Sequence, residues 1–171
     1  ESRHYKRRGE LRGKRRNIMR IAVASGKGGT GKTTVATNLA FLAAQVGRTV
    51  VYADCDVEEP NGHLFLKPTI DLERSIDRLI PVVDRERCTL CGRCSDVCRY
   101  GAIACVGQSV LVFAELCHAC GGCQLACPEE AICEVPRSVG RLRRGSSGPV
   151  QFLDGVLNVG EAMSPPAIRA V

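Results

Sequence analysis

The sequence predicts an α/β fold built around a parallel sheet, with a small α+β unit inserted into it. Three features of the 171-residue chain support this prediction. A glycine-rich loop lies between an apolar segment and a helical pattern, two four-cysteine blocks repeat in the middle of the chain, and strand-like segments follow them. We expect residues 19–81 to form the first half of the parallel-sheet domain, 82–136 the insert, and 137–171 the return to an incomplete first domain.

The charge distribution and the composition exclude some functional classes. The net charge is +6, and residues 1–18 alone account for it, so the rest of the chain is neutral. We expect this basic tail to lie outside the fold, as a translation artefact or, alternatively, a polyanion-binding arm. A neutral body argues against a nucleic-acid partner. The chain has no apolar run long enough for a membrane span and no secretory signal, so we expect a cytoplasmic protein.

The first structural element is predicted around the glycine-rich loop. The apolar run Ile21–Ala24 predicts a buried parallel strand. It is followed by Gly-Lys-Gly-Gly-Thr-Gly-Lys-Thr-Thr at 26–34, which satisfies G-x-x-x-x-G-K-[ST]. Small and apolar residues then recur at helical spacing until Gly47, a stop signal: Ala36, Leu39, Ala40 and Ala43. Strand, loop and helix in this order predict a P-loop.

The P-loop prediction assigns chemistry to individual residues. Backbone N–H groups of the loop and the positive end of the helix dipole bind phosphate oxygens. Lys32 would reach the terminal phosphates, Thr33 would ligate Mg2+, and Thr34 would donate near the α-phosphate. The candidate nucleotide-binding residues are Gly26, Lys27, Gly28, Gly29, Thr30, Gly31, Lys32, Thr33 and Thr34.

A second strand is predicted at Thr49–Ala53, ending in Asp54 and Asp56. Carboxylates at the carboxyl end of a strand beside a P-loop are well placed to organise Mg2+ and the attacking water. Downstream, Asp71–Leu79 is predicted as a short helix, and Pro81 marks the crossing into the insert.

Eight of the eleven cysteines form two C-x2-C-x2-C-x3-C blocks. In such blocks three thiolates share one loop, and the fourth cysteine ligates the other 4Fe–4S cluster. The spacing therefore predicts two clusters. The first would be held by Cys88, Cys91, Cys94 and Cys127, and the second by Cys117, Cys120, Cys123 and Cys98. Zinc sites and disulfides do not require this spacing.

The two blocks form an internal repeat with a period of 29 residues. The repeat predicts two pseudo-symmetric halves, each a loop, a short helix and a strand. Arg99 follows Cys98 where Pro128 follows Cys127, a difference expected to raise one cluster potential without loss of ligation. His118 is expected to be an exposed loop residue, with tuning of the second cluster as the alternative. The remaining cysteines are expected to be small buried hydrophobic residues: Cys55, Cys105 and Cys133.

The segment after the insert is predicted to return to the sheet. Arg141–Pro149 is expected to form a basic loop. Val150–Leu153 and Val156–Val159 then predict a hairpin with its turn at Asp154 and Gly155.

Two resemblances add to these predictions. Lys-Gly-Gly-x-Gly-Lys-Thr, beginning at Lys27, resembles the deviant Walker A motif of the MinD, ParA, Mrp and nitrogenase iron-protein superfamily, whose fold is of the SIMIBI type. Asp84–Pro136 resembles bacterial two-cluster ferredoxins, and the nested order resembles superfamily members with an inserted ferredoxin domain. The resemblance implies ATP as the nucleotide and a nucleotide-dependent homodimer. In that dimer Lys27 would reach the partner's nucleotide, Asp56 would sense the γ-phosphate, and Asp54 would lie toward the magnesium.

These predictions lead to a first functional hypothesis and three alternatives. The first is ATP-gated electron transfer through two 4Fe–4S clusters to a partner redox protein, with Lys27, Lys32 and Asp56 as the catalytic candidates. The alternatives are an Mrp-type iron–sulfur carrier or scaffold, a MinD- or ParA-like positioning ATPase, and a simple ferredoxin. The family's second switch, Asp-x-Pro-Pro-Gly, does not occur in the sequence, so ATP hydrolysis stays open.

Overall fold

The computed structural model describes residues 18–171. The basic tail therefore lies outside the described residues, apart from Ile18. Five helices are present in the described part: α1 Lys32–Gln45, α2 Gly62–Leu66, α3 Arg93–Val97, α4 Gly122–Ala126 and α5 Pro165–Ala170. A 3-10 turn covers Ala114–Leu116. The strands are β1 Val50–Asp54, β2 Thr69–Val83, β3 Ile103–Val106, β4 Ser109–Val112, β5 Ile132–Ser147 and β6 Val150–Leu157.

A mixed four-stranded sheet forms the framework, in the order β1-β6-β5-β2. Strand β1 pairs with β6 in parallel, whereas the β6–β5 and β5–β2 pairs are antiparallel. Strands β2 and β5 are the longest, and they pair from Thr69 opposite Ser146 to Val83 opposite Ile132. The parallel pair next to helices fits the predicted α/β class. The expectation of a parallel sheet is corrected, because two of the three strand pairs in this sheet are antiparallel.

Three small cores stabilise this framework. Helix α1 packs Ala40 and Ala44 against Tyr52 and Phe152, whose rings stack with centroids 5.8 Å apart. A second core joins β2, β5 and α5 through Val57, Ile76, Val139, Leu142 and Ala167. The third lies in the cysteine-rich region and consists of Cys94, Ile103 and Ile132 with partly buried neighbours.

An ion pair lies within the sheet. Asp154 on β6 is fully buried, and Arg143 on the neighbouring strand donates from Nε to its Oδ1 at 2.9 Å and from Nη2 to its Oδ2. This bidentate contact raises the pKa of Arg143. Since a charge without water needs a partner, Arg143 is what makes a carboxylate tolerable at this position.

The predicted helix after the glycine loop is confirmed. Helix α1 covers all the residues of the helical pattern and ends before Gly47. Gly47 has φ +79°, and its N–H donates to the carbonyl of Ala44 at 3.0 Å. Its left-handed backbone explains why a glycine ends this helix.

The predicted strand at Ile21–Ala24 is wrong. This segment has no regular secondary structure, and the side chain of Ile21 is 61% exposed. A buried parallel strand needs hydrogen-bonded neighbours, and within residues 18–171 strand β1 pairs with β6 alone. An apolar run is therefore not enough to form a strand here.

The predicted helix at Asp71–Leu79 is also wrong, because the segment lies inside β2. Ile76 and Arg78 are buried while the residues beside them are exposed, which is the two-residue period of a strand. The pairing partner is β5, with Leu72 opposite Arg144 and Leu79 opposite Pro136, far away in sequence. Short-range patterns did not contain that information.

The predicted loop and hairpin after the insert are corrected in the same way. Residues 141–147 belong to β5, and the turn lies at Gly148 and Pro149, with Gly148 at φ +54°. Strand β6 continues through Asp154 and Gly155. Gly155 lies there because a Cβ would come within 3.0 Å of Val57 and closer still to Val171, so the Asp-Gly pair serves packing and not a turn.

No helix within residues 18–171 has the length and apolar character required to cross a bilayer.

Candidate functional site

The glycine loop presents open backbone at the start of α1. Gly29 and Gly31 have φ values of +72° and +85°, which glycine adopts without strain. Within the described residues, a Cβ at Gly26 or Gly28 would meet no atom within 4 Å. No side chain in this part of the chain caps the first turn of α1. Its N–H groups are thus available to an anion, as a phosphate site requires.

The polar side chains of the loop are arranged around this turn. Ser25 donates to the carbonyl of Lys27 at 2.8 Å, and Thr30 donates to Ser25 Oγ at 2.8 Å. Lys32 and Thr33 occupy the first turn of α1 and are half-buried, whereas Lys27 is exposed. The nucleotide contacts assigned to Lys32 and Thr33 stay predictions.

Asp54 lies at the carboxyl end of β1 and is buried. Its Oδ2 accepts from the backbone N–H of Gly62 at 2.8 Å, and its Oδ1 accepts from the N–H of Asp56 at 3.2 Å. Asp54 therefore holds the loop 55–61 closed against β1. The magnesium role predicted for it is not tested by these contacts. Asp56 is exposed, as a residue that meets a ligand from solution would be.

Tyr52 and Gly62 are site residues that the sequence did not reveal. The Tyr52 hydroxyl lies 3.5 Å from Oδ2 of Asp54, and burial together with the Asp54 carboxylate raises the pKa of Tyr52. A Cβ on Gly62 would lie 2.5 Å from the Tyr52 hydroxyl oxygen and 2.7 Å from Oδ2 of Asp54. The start of α2 thus lies so close to β1 that only glycine fits at position 62.

The eight cysteines of the two blocks line two separate cavities. The first cavity is lined by Cys88, Cys91, Cys94 and Cys127 together with Cys105. The second cavity is lined by Cys98, Cys117, Cys120 and Cys123. Each cavity therefore combines three cysteines of one block with the fourth of the other, the exchange that the spacing predicted.

The backbone repeats as closely as the sequence does. Helices α3 and α4 are related by the 29-residue period, and both follow a glycine of positive φ, Gly92 at +80° and Gly121 at +71°. Two further pairs of equivalent positions have positive φ: Leu90 at +58° with Ala119 at +52°, and Gly101 at +62° with Glu130 at +46°. Two different sequences thus adopt one loop shape, which indicates a common constraint on both loops.

Backbone N–H groups surround several sulfur atoms. Ala102 donates to Cys98 Sγ and Ala131 to Cys127 Sγ, both at 3.3 Å and at equivalent positions of the repeat. Burial opposes ionisation of Cys98, but several backbone N–H groups outweigh it, and the pKa of Cys98 is lowered. Burial raises the pKa of the equivalent pair Cys94 and Cys123.

The donor set fits iron–sulfur clusters. A cubane cluster is ligated by thiolates at four separate corners. Four block cysteines line each cavity, and backbone N–H groups are directed at the sulfurs of Cys98, Cys117 and Cys127. Within residues 18–171, no three His, Cys, Asp or Glu side chains converge on one point that could hold a single metal ion.

The remaining cysteines differ from the expectation of small buried residues. Cys105 is half-buried and lines the first cavity, and Cys55 and Cys133 are exposed. Cys105 was missed because its equivalent position in the repeat is occupied by Glu134, which lines the second cavity. A comparison of positions 105 and 134 would have identified Cys105 as a cavity residue, whereas a search for repeated cysteines could not.

A buried ion network supports the second cysteine loop. Arg78 on β2 donates to the carbonyl of Ala114 at 2.8 Å and pairs with Glu161 at 3.2 Å, with both side chains almost fully buried. Glu161 also pairs with Arg137 on β5 at 2.7 Å. The turn that precedes Cys117 is thereby attached to both long strands of the sheet.

The fold and the glycine loop define a nucleotide-binding protein of the P-loop class. Residues 21–119, more than half of the chain, match the CobQ/CobB/MinD/ParA nucleotide-binding domain. The chain therefore belongs to this family of P-loop proteins.

Three curated relatives illustrate the range within the family. An uncharacterized protein of Methanocaldococcus jannaschii is 40% identical over 92 residues, which are 50% of this chain and 31% of that protein. An iron–sulfur cluster carrier protein of Synechocystis is 50% identical over 46 residues, 27% of this chain and 13% of the relative. The chromosome-partitioning ATPase Soj of Thermus thermophilus is 39% identical over 66 residues, 39% of this chain and 25% of the relative. The aligned segments thus span about a third or less of each relative.

Proposed function

We propose that this chain is an ATP-binding iron–sulfur protein in which nucleotide binding controls electron transfer to a partner redox protein. The observation that carries the proposal is the pair of cavities, each lined by four cysteines drawn from both blocks. Such interleaving supports two resident 4Fe–4S clusters, held by Cys88, Cys91, Cys94 and Cys127 and by Cys117, Cys120, Cys123 and Cys98. When bound, these clusters supply one-electron chemistry.

The loop after β1 and the cysteine-lined cavities are connected through α2 and β2. Asp54 holds the N–H of Gly62 at 2.8 Å, so the loop after β1 is attached to α2. Helix α2 leads directly into β2, and Ser147 at the end of β5 donates to the carbonyl of Leu66. At the other end of β2, Pro81 lines the second cavity and Val83 the first. A displacement of the loop by nucleotide therefore has a continuous path to the cysteines.

The nucleotide site is proposed to use the loop backbone for phosphate binding. Lys32 would neutralise the terminal phosphates, and Thr33 would ligate Mg2+. Lys27 is exposed and free to reach a second subunit, which supports the proposed nucleotide-dependent homodimer. Asp56, also exposed, is proposed to contact the γ-phosphate.

The test is a redox titration of anaerobically purified protein with and without Mg-ATP. We expect the potential of at least one cluster to shift on addition of Mg-ATP, and the shift to disappear in Lys32→Ala, which keeps its clusters. Lys67→Ala, a lysine outside the glycine loop, is the matched control and should retain the shift. A brown protein whose potentials ignore Mg-ATP would refute nucleotide control, and a protein without iron would refute the cluster proposal itself.

A second candidate function is that of an iron–sulfur carrier, favoured by the carrier protein among the relatives. In a carrier the cluster is cargo, so it should pass to an acceptor. Incubation with an apo-ferredoxin, followed by measurement of the iron in each separated protein, distinguishes the two functions. Iron that stays with this chain while electrons pass to the acceptor supports electron transfer.

A further inference from the structure

The 29-residue repeat allows the two cysteine-lined cavities to be compared position by position. Position 89 corresponds to 118, and position 100 corresponds to 129. All four residues line a cavity: Thr89 and Glu129 the first, Tyr100 and His118 the second. The same two places are thus occupied by an aromatic pair in one cavity and by a hydroxyl and a carboxylate in the other.

The aromatic pair of the second cavity is stacked. The ring centroids of Tyr100 and His118 lie 3.6 Å apart, and the ring planes differ by 10°. Tyr100 lies two residues after Cys98, and His118 directly follows Cys117, so the stack joins the two cysteine blocks. Both residues line the cavity and also expose surface to solvent. The stacked rings therefore link the two cysteine blocks at the wall of the second cavity.

The first cavity has no stacked ring pair at the equivalent positions. Thr89 and Glu129 are exposed, and their side chains carry no ring that could stack across the opening. A hydroxyl and a carboxylate keep water bound to them. At these two positions, therefore, no stacked pair links the cysteine blocks around the first cavity.

We propose that the two cavities differ in retention: the Tyr100–His118 stack makes the second cavity a retaining site, and the first cavity is an exchanging site. This inference rests on the proposed function, in which both cavities hold 4Fe–4S clusters. Tyr100 and His118 are positioning residues here, since neither needs to ligate iron. The protein would then keep one cluster permanently and lose or replace the other much more readily.

The experiment measures iron release from the anaerobically purified full chain in excess EDTA, followed by the decay of cluster absorbance. We expect two phases of similar amplitude in the unmodified chain. Tyr100→Glu, which introduces the residue of the equivalent position, should accelerate the slow phase by about two- to tenfold, the range that loss of one stacked pair allows. The fast phase should be unchanged.

Two further variants separate retention from general damage. Tyr100→Phe keeps a stackable ring and should leave the slow phase as it is. The reciprocal change, Thr89→His with Glu129→Tyr, should slow the fast phase, and it decides the matter if Tyr100→Glu fails to fold. A single release phase in the unmodified chain, or two phases unaffected by any ring substitution, would overturn the inference. Protein isolated without iron would instead refute the proposed function.

Discussion

The glycine loop and the cysteine loops are both shaped by residues of positive φ, yet they are held in different ways. In the glycine loop the side chains of Ser25 and Thr30 hydrogen-bond within the loop itself, to each other and to the carbonyl of Lys27. In the cysteine loops, by contrast, side chains of the opposite block and of β2 and β5 pack around each cavity. The glycine loop is therefore a local structure, whereas the cysteine loops depend on each other.

This difference teaches where each region obtains its stability. The glycine loop needs little beyond its own backbone and the start of α1, so substitutions there should alter ligand binding more than folding. In the cysteine-rich region the packed cluster of buried side chains is small and consists of Cys94, Ile103 and Ile132. So small an apolar core requires additional cross-links, which the proposed clusters would supply.

The largest difference between the two regions is expected on chelation of the iron proposed for the two cavities. We expect residues 84–131 to lose protection of their amide hydrogens, because thiols without a shared cluster no longer join the two blocks. Helix α1 and the pairing of β5 with β6 should keep their protection. Hydrogen exchange measured by mass spectrometry before and after chelation provides the check, and equal protection in the two states would contradict the dependence described above.

Substitution of Arg143 should have the next largest effect. Arg143→Leu leaves the fully buried Asp154 without its partner, which should cost about 3–5 kcal/mol in the free energy of unfolding. Arg141→Leu on the same strand is the control, because its ion pair with Glu73 is exposed and 3.8 Å long and is worth about 1 kcal/mol or less. Urea unfolding of both variants gives the comparison, and similar midpoints would contradict it.

Two glycine substitutions compare a closely packed position with an open one. Gly62→Ala would place a Cβ 2.5 Å from the Tyr52 hydroxyl oxygen, and we expect it to destabilise the protein by about 1–3 kcal/mol. Gly28→Ala enters open space and should change stability by about 0.5 kcal/mol or less. Thermal unfolding of the pair tests whether β1 and α2 are truly in contact at this point, and an unaffected Gly62→Ala variant would show that they are not.

The smallest effect on stability is expected from substitutions at two equivalent positions of the repeat. Gly101 and Glu130 are equivalent positions with φ +62° and +46°. Glu130→Gly removes the strain of a left-handed non-glycine residue and should stabilise the protein by up to about 1 kcal/mol, while Gly101→Ala should destabilise it by a similar amount. The exposed pair of Glu130 with Arg87, 3.7 Å long, contributes little against this. Denaturant unfolding should therefore show changes of opposite sign in the free energy of unfolding of the two variants.

The sequence predicted the parts of the structure that local chemistry determines. Helix α1, its end at Gly47, and the interleaved cysteine sets all follow from residues close together in the chain or from a repeat. The prediction that each half contains a short helix agrees with α3 and α4.

The errors lie where long-range pairing decides the outcome. Asp71–Leu79 becomes a strand because β5 lies beside it, and Ile21–Ala24 is not a strand because no neighbour among the described residues pairs with it. Gly155 was taken for a turn residue, although the close approach of Val57 and Val171 explains it. Tyr52 and Gly62 could not be identified as site residues, since their importance arises only when α2 is placed against β1.

Strands β2 and β5 pair with irregularities in register between Ile70 and Leu72 and between Ile76 and Asp77. Strand β6 pairs with β5 over Gly140–Ser147, so the second irregularity lies where this third strand ends. Between such bulges a hydrogen-bonded ladder resists stretching, because a slip of one residue would turn every side chain to the opposite face. The bulges themselves are the softer joints. Motion along this strand pair should accordingly occur as a tilt of one rigid section about the Ile76 joint, so that a small rotation at the Leu66 end moves the Pro81 end sideways.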